Sequence, residues 1–232
     1  MSISDTTHPI GGKRERRKEA RPGELLEAAL DLFVEKGFSA TRVDDVAARA
    51  GVSKGTLFLY FPSKVDLFKA VVRENIAGRI AEWSEEFDRC DGPASDALRR
   101  CYQVWWERIG ATKASGITKL MMSEAQNFPE IAQFYEQEVI RPGNLLLRRI
   151  LERGMERGEF RVANLDHMVY VVLAPMLFLM MWKNSMGACS SMACAPQPEE
   201  FIALQTETML LGLCTRPPEP KATNHKTPKI KG

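Results

Sequence analysis

Ser53, Lys54, Gly55 and Thr56 place a hydroxyl, an ammonium, a residue without a side chain and a methyl-bearing hydroxyl in one turn of chain. At the start of a helix laid in a nucleic-acid groove, such a set has defined chemistry. The lysine donates to guanine O6 and N7, the threonine methyl meets a thymine methyl, and the glycine lets backbone approach closely. Thr41 and Arg42 before this turn, and Tyr60 and Lys64 after it, are spaced to hold phosphates. Tyr60 has the alternative of packing against an earlier helix. A second chemistry is suggested further along by Trp83, Phe87, Trp105, Trp106, Ile109, Met121, Met122, Phe134, Tyr135 and Met176. Large, adaptable side chains of these types suit an apolar small-molecule cavity, although a stripe of them at helical spacing is more often ordinary core.

Other chemistries find little footing. His8, His167 and His225 are the only histidines, and two lie near the ends. Cys189 and Cys194 have no matching Cys or His pair elsewhere, so no metal is expected. There is no glycine-rich phosphate loop and no serine-centred nucleophile turn, so neither a cofactor nor an enzymatic reaction is expected. The five cysteines (Cys90, Cys101, Cys189, Cys194, Cys214) read as free thiols of a cytoplasmic protein. A redox role for Cys90 or Cys101 stands against the simpler reading of buried apolar thiols. The apolar run Met168 to Trp182, interrupted by Pro175, is shorter than the ~20 residues of a membrane span, so no membrane partner is expected.

The elements that must carry these residues are helical, because apolar spacings of three and four dominate and no alternating strand pattern occurs. The expected fold class is all-α. Residues 1–21 read as a flexible arm carrying Lys13, Arg14, Arg16, Arg17, Lys18 and Arg21, and residues 215–232 as a disordered tail carrying Arg216, Lys221, Lys226, Lys229 and Lys231. Net charge is only +2, so the body between these ends carries more acid than base. That asymmetry points to a polyanion partner, or to ends that merely aid solubility.

Residues 22–68 read as three short helices. The stripe Leu25, Leu26, Ala29, Leu30, Phe33, Val34 ends at Gly37. A helix over 43–50 follows, with Thr41 as its cap and Gly51 after it. A helix from Lys54 to Phe61, capped by Ser53, is closed by Pro62. Two short helices crossing steeply need a small residue at the crossing, a turn residue that tolerates positive φ, and apolar inward faces. Ala47, Gly51 and the set Val43, Val46, Ala50, Val52, Leu57 supply these roles, giving a helix-turn-helix, or an αα-hairpin without a nucleic-acid role. The larger part, 69–214, should hold helices over 64–87, 94–110, 112–126, 130–157, 165–186 and 198–213, with a kink or break at Pro142 and Pro175.

The stretch from Leu25 to Phe68, with the pieces AALDLFVEKGFSATRVDDVAARAGVSKGTLFLYFPSKVDLF, resembles the DNA-binding domain of the TetR (tetracycline-repressor type) regulators. Phe58 and Leu59 depart from that pattern, standing where an aromatic hydroxyl and a polar or histidine side chain are usual. FPEIAQFYEQEVIRPGNLLLRRILERGMERGEFR resembles a helical stretch in a subset of the same regulators. The resemblance implies a repressor that binds a double-stranded, pseudo-palindromic operator and is released by a small-molecule inducer, which the Met and aromatic side chains named above would make hydrophobic or amphipathic. It also implies a helical ligand-binding and dimerisation domain from about residue 69. Met168 to Trp182, apolar on nearly every face, would pair with Phe201, Leu204, Met209, Leu210 and Leu213 across a two-fold axis, or be buried within one subunit. Two rivals stay open: a ligand-binding dimer with only non-specific DNA affinity, and a catalytic helical bundle.

Overall fold

A computed structural model describes residues 21–189 and 195–215. The expected arm up to residue 20, the tail beyond Thr215, and Cys194 lie outside the described residues. The chain begins with α1 (Arg21–Ala40), α2 (Val43–Arg49), α3 (Lys54–Tyr60) and α4 (Lys64–Val72). It continues through α5 (Gly78–Arg89), α6 (Ala94–Trp105), α7 (Ser115–Glu124), α8 (Pro129–Tyr135) and α9 (Arg141–Glu156). α10 (Leu165–Lys183), the short α11 (Met186–Cys189) and α12 (Pro198–Leu213) complete it. Among the described residues the only strand-like pairing is an isolated bridge between Phe160 and Cys214, so the fold is all-α.

Local chemistry accounts for most helix starts. Ser53 and Ser63 accept hydrogen bonds from the amides of Thr56 and Asp66, each at 3.1 Å, and Asn164 accepts from the His167 amide at 3.0 Å. Pro129 occupies a first-turn position where its missing N–H costs nothing. α2 departs from expectation. Its cap residue is Arg42, without a capping side chain, because Thr41 is buried and its hydroxyl donates to the Gly37 carbonyl at 2.6 Å, with the Leu32 carbonyl 3.0 Å away.

Three of the long helices expected from periodicity are each interrupted by a π-helical turn: Arg73–Ala77, Trp106–Gly110 and Glu136–Ile140. Pro142 falls in the first turn of α9, directly after the third of these, which relieves the bond its ring would otherwise remove. Pro175 lies inside α10, which runs as one helix from Leu165 to Lys183, so of the kink or break expected there the helix does not break. At 19 residues α10 is longer than the apolar run suggested, and by length and composition alone it could cross a membrane. Its contacts are with the protein: Val172, Met176, Leu179 and Met180 are buried, and Lys183 Nζ bonds the carbonyls of Gly110, Ala111 and Thr112 at 2.7, 2.8 and 3.1 Å.

Two apolar cores hold the molecule. One begins with the rings of Phe33, Phe38 and Phe68, whose centroids lie 5.2–5.8 Å apart, and runs without interruption from α1–α4 into α7 and α8 through Ile117, Leu120, Ile131 and Phe134. The other joins α5, α6, α9, α10 and α12 through Leu98, Ile150, Val172 and Leu210.

Candidate functional site

The exposed face of the first four helices is built by α2 and α3. Gly51, at φ +67°, makes the turn between them, and the Val52 amide bonds the Ala47 carbonyl at 2.9 Å. Leu57 is fully buried and pins α3 to the core, while Arg42, Ser53, Lys54, Gly55, Phe58, Leu59 and Tyr60 are exposed and Thr56 is partly so. The Ser53 hydroxyl is committed to the Thr56 amide and lies 2.9 Å from the Thr56 hydroxyl, so its first task is to start the helix. Lys54 rests on Asp44, 3.0 Å away, and passes over the Phe58 ring at 6.0 Å. Leu59 is 85% exposed, an unusual position for leucine and one that the sequence suggests only as a lost polar contact.

Two residues expected to hold phosphates do something else. Thr41 is buried, as described above. Lys64 turns inward: its ammonium donates to the carbonyls of Phe38, Ser39 and Thr41 at 2.8, 3.2 and 3.1 Å and lies 4.5 Å from the Phe38 ring centroid. Burial lowers its pKa, partly offset by the nearby Glu124 carboxylate. The same turn of backbone is held from the other side. Glu124, at the end of α7, accepts from the amides of Phe38 and Ser39, both at 3.0 Å. Gly37 makes room, because it takes φ +84° and a Cβ there would overlap the Glu124 carboxylate. Nothing local signals either interaction: Glu124 is 85 and 86 residues from its partners, and Lys64 reaches back by 23 to 26.

Above this contact lies a cavity of about 480 Å³. Trp83, Trp105, Ile109, Met121, Met122, Tyr135 and Met176 line it as expected, and Ile76, Ile80, Tyr102, Thr118 and Leu147 are among further lining residues that the sequence did not single out. All three π-helical turns contribute wall, through Ile76, Ile109, and the set Glu136, Val139 and Ile140. Such turns rotate side chains out of the helical register and recur at functional sites. Phe87, Trp106 and Phe134 do not line the cavity, although all are buried. Cations cover their rings instead: Arg153 over Phe87 at 3.8 Å, Lys183 over Trp106 at 5.7 Å, and Arg73 over Phe134 at 4.9 Å. Cys101 also borders the cavity, and burial pushes its thiol pKa far up, which disfavours the reactive thiolate. Among the described residues no cluster of His, Cys, Asp and Glu is arranged to hold a metal.

A separate apolar surface runs along α10 and α12. Val171, Phe178, Leu204 and Leu211 are exposed there, and a shallow groove between the helices is lined by Met168, Val171, Pro175, Phe201 and Leu204, among others.

Residues 25–71 match the family model for bacterial regulatory proteins of the tetR family, and residues 91–186 match that of a tetracyclin repressor-like C-terminal domain. The chain is 30% identical to the uncharacterized HTH-type transcriptional regulator YdeS of Bacillus subtilis over 160 residues, 66% of this chain and 74% of YdeS. It is 41% identical to the HTH-type transcriptional activator FasR of Mycolicibacterium smegmatis, but over only 76 residues, 32% of this chain and 35% of FasR. The match to FasR therefore spans about a third of that relative's length. The solved structure of the fatty acid degradation regulator FadR from Bacillus halodurans superposes with a TM-score of 0.67 at 20% identity, covering 84% of this chain and 96% of that one. At that identity the likeness is one of fold.

Proposed function

The chain belongs to the tetR family of bacterial regulatory proteins, and we propose that within it this protein is a ligand-responsive repressor acting as a homodimer. It is a DNA-binding transcriptional regulator and not an enzyme. In the proposed complex α3 enters the major groove. Lys54 and Thr56 meet base edges there, Gly55 allows the approach, and Arg42, Ser53 and Tyr60 engage the backbone. Phe58 and Leu59 join this face as apolar contacts, for which thymine methyl groups are the natural partners. Two copies paired through α10 and α12 would present two such helices to successive major grooves of a pseudo-palindrome.

The observation that carries ligand response is the position of α7. Thr118, Met121, Met122 and Ala125 line the cavity, and Glu124, on the same turn, holds the backbone that follows Gly37. A ligand that displaces α7 therefore acts directly on α1 and on the base of the helix-turn-helix. It shifts the population toward a spacing of the two reading heads that no longer fits the operator.

The test is fluorescence anisotropy on tiled fragments from upstream of the protein's own gene, with random DNA as competitor. Tight binding to one near-palindromic fragment, released by an apolar effector, is the expected result. Uniform weak binding to every fragment would instead favour a ligand-binding dimer with non-specific DNA affinity.

A further inference from the structure

The few polar groups in the cavity wall decide what enters it. Among the described residues no lysine, arginine or histidine lines the space. The one formally charged residue among them, Glu136, is exposed and is held by Arg141, whose nitrogens lie 3.1 and 2.9 Å from its carboxylate. A carboxylate or phosphate drawn inside would lose its water and find no counter-charge, an exchange that disfavours binding strongly. The Tyr102 hydroxyl is already committed, donating to the Val172 carbonyl at 2.8 Å. Asn144 is half-buried.

The remaining hydroxyls form a pair. Thr118 Oγ1 and the Tyr135 hydroxyl lie 3.1 Å apart, on residues only 7% and 6% exposed. Burial raises the Tyr135 pKa to about 12, so the phenol keeps its hydrogen at neutral pH. Each hydroxyl brings one donor hydrogen, and the single bond between them uses one. Whichever group donates, the other keeps a hydrogen that this pair does not use, in a wall whose other polar side chains are Tyr102, Glu136 and Asn144. Such a donor is costly to leave unpaired and is correspondingly selective for a molecule that pairs it.

We propose that the cavity takes an uncharged, largely apolar molecule with one buried oxygen, as a ketone, ester or alcohol, that accepts the spare hydrogen of the Thr118–Tyr135 pair. This rests on the reading of the cavity as the effector site. It separates the effector from fatty acids and other carboxylates, which share the apolar chain but bring a charge the wall does not balance.

The neutral fluorophore N-phenyl-1-naphthylamine, titrated into the full chain, reports occupancy of the cavity. Competitors of equal chain length then test its chemistry: 2-decanone, decanoate and decyltrimethylammonium. The ketone is expected to displace the fluorophore at about tenfold lower concentration than either ion. The double variant T118V/Y135F should require about tenfold more ketone for displacement, once its own affinity for the fluorophore has been measured and allowed for. Either single variant leaves one hydroxyl hydrogen free and should retain most of the ketone affinity. Decanoate competing as well as the ketone, or ketone competition unchanged in a double variant that still binds the fluorophore, overturns the proposal and leaves the cavity reading intact. A wild-type protein that binds neither fluorophore nor ketone overturns both. The comparison of ions needs no variant, so it decides the question even if the double variant fails to fold.

Discussion

Lys54 and Lys64 look alike in the sequence, one at the start of α3 and the other at the start of α4, yet their surroundings assign them different work. Lys54 is exposed and rests on Asp44 and the Phe58 ring, so its ammonium is available to a base. Lys54→Ala is expected to weaken specific binding by roughly 1–3 kcal/mol and to relax base preference, with a much smaller loss on random DNA. Equal losses on both, measured by anisotropy, would remove it from the reading set. Lys64 is spent on three carbonyls around the end of α1. Lys64→Met should therefore leave the salt dependence of DNA binding unchanged and cost about 1–3 kcal/mol of stability in urea unfolding, the loss of a charged donor to backbone acceptors. A salt slope lower by about one would restore the phosphate role. The placement of Lys54 was legible because the turn that exposes it is local, set by Gly51 and Ser53. That of Lys64 was not, because its partners are far back in the chain. Aromatic identity misled in the same way: Phe134 and Tyr135 are adjacent, but only the tyrosine faces the cavity while cations sit over the phenylalanine.

At the scale of elements, α7 links the two halves of the molecule. Gly116 lies so close to Val34 of α1 that a Cβ there would overlap the valine methyls, and Phe128 just beyond the helix packs on Phe38 at 4.8 Å. The last turn of α7 both lines the cavity and ends in Glu124. Glu124→Ala should leave effector affinity and basal operator affinity within a few-fold of wild type and shrink the effect of one on the other, a coupling typically of about 1–3 kcal/mol. Operator titrations with and without 2-decanone measure it, and undiminished release by the ketone would sink the idea. Gly37→Ala is a sharper perturbation of the same contact. It forces a Cβ into φ +84° against the carboxylate and should cost about 1–2 kcal/mol, read as a lowered urea midpoint. Helical periodicity identified the main elements but not the cap residues of α2 and α10. It missed the π-helical turns, since a single extra residue per turn leaves the apolar spacing nearly unchanged while rotating everything after it. The cavity wall was only partly legible for that reason, and because it draws on residues from Ile76 to Met180 that only the packed fold brings together.

For the whole molecule the outstanding surface is the one along α10 and α12. α10 buries one side against the second core and leaves Val171 and Phe178 exposed on another, while α12 does the same with Leu204 and Leu211. A contiguous apolar surface of this kind suits an interface, and in the proposed homodimer two helices from each of two copies would form a self-complementary four-helix contact about a two-fold axis. The sequence pointed to this pairing through the uniform apolarity of Met168 to Trp182, but not to which residues would face outward. Leu210 and Leu213, grouped there with the pairing residues, are buried within the chain, whereas Leu204 is 71% exposed. Leu204→Glu places a like charge on both sides of a two-fold contact and is expected to yield a folded monomer in sedimentation velocity, with the helical circular dichroism of the wild type. Operator affinity should fall by more than about a hundredfold, because each half-site is then bound alone and the effective-concentration advantage of a linked second head is gone. Leu98→Glu, at a fully buried site of the second core, should instead unfold the protein, which separates loss of pairing from loss of fold. A Leu204→Glu protein that remains dimeric and binds operator normally would move the interface off α10 and α12, and would leave their exposed apolar surface to another partner.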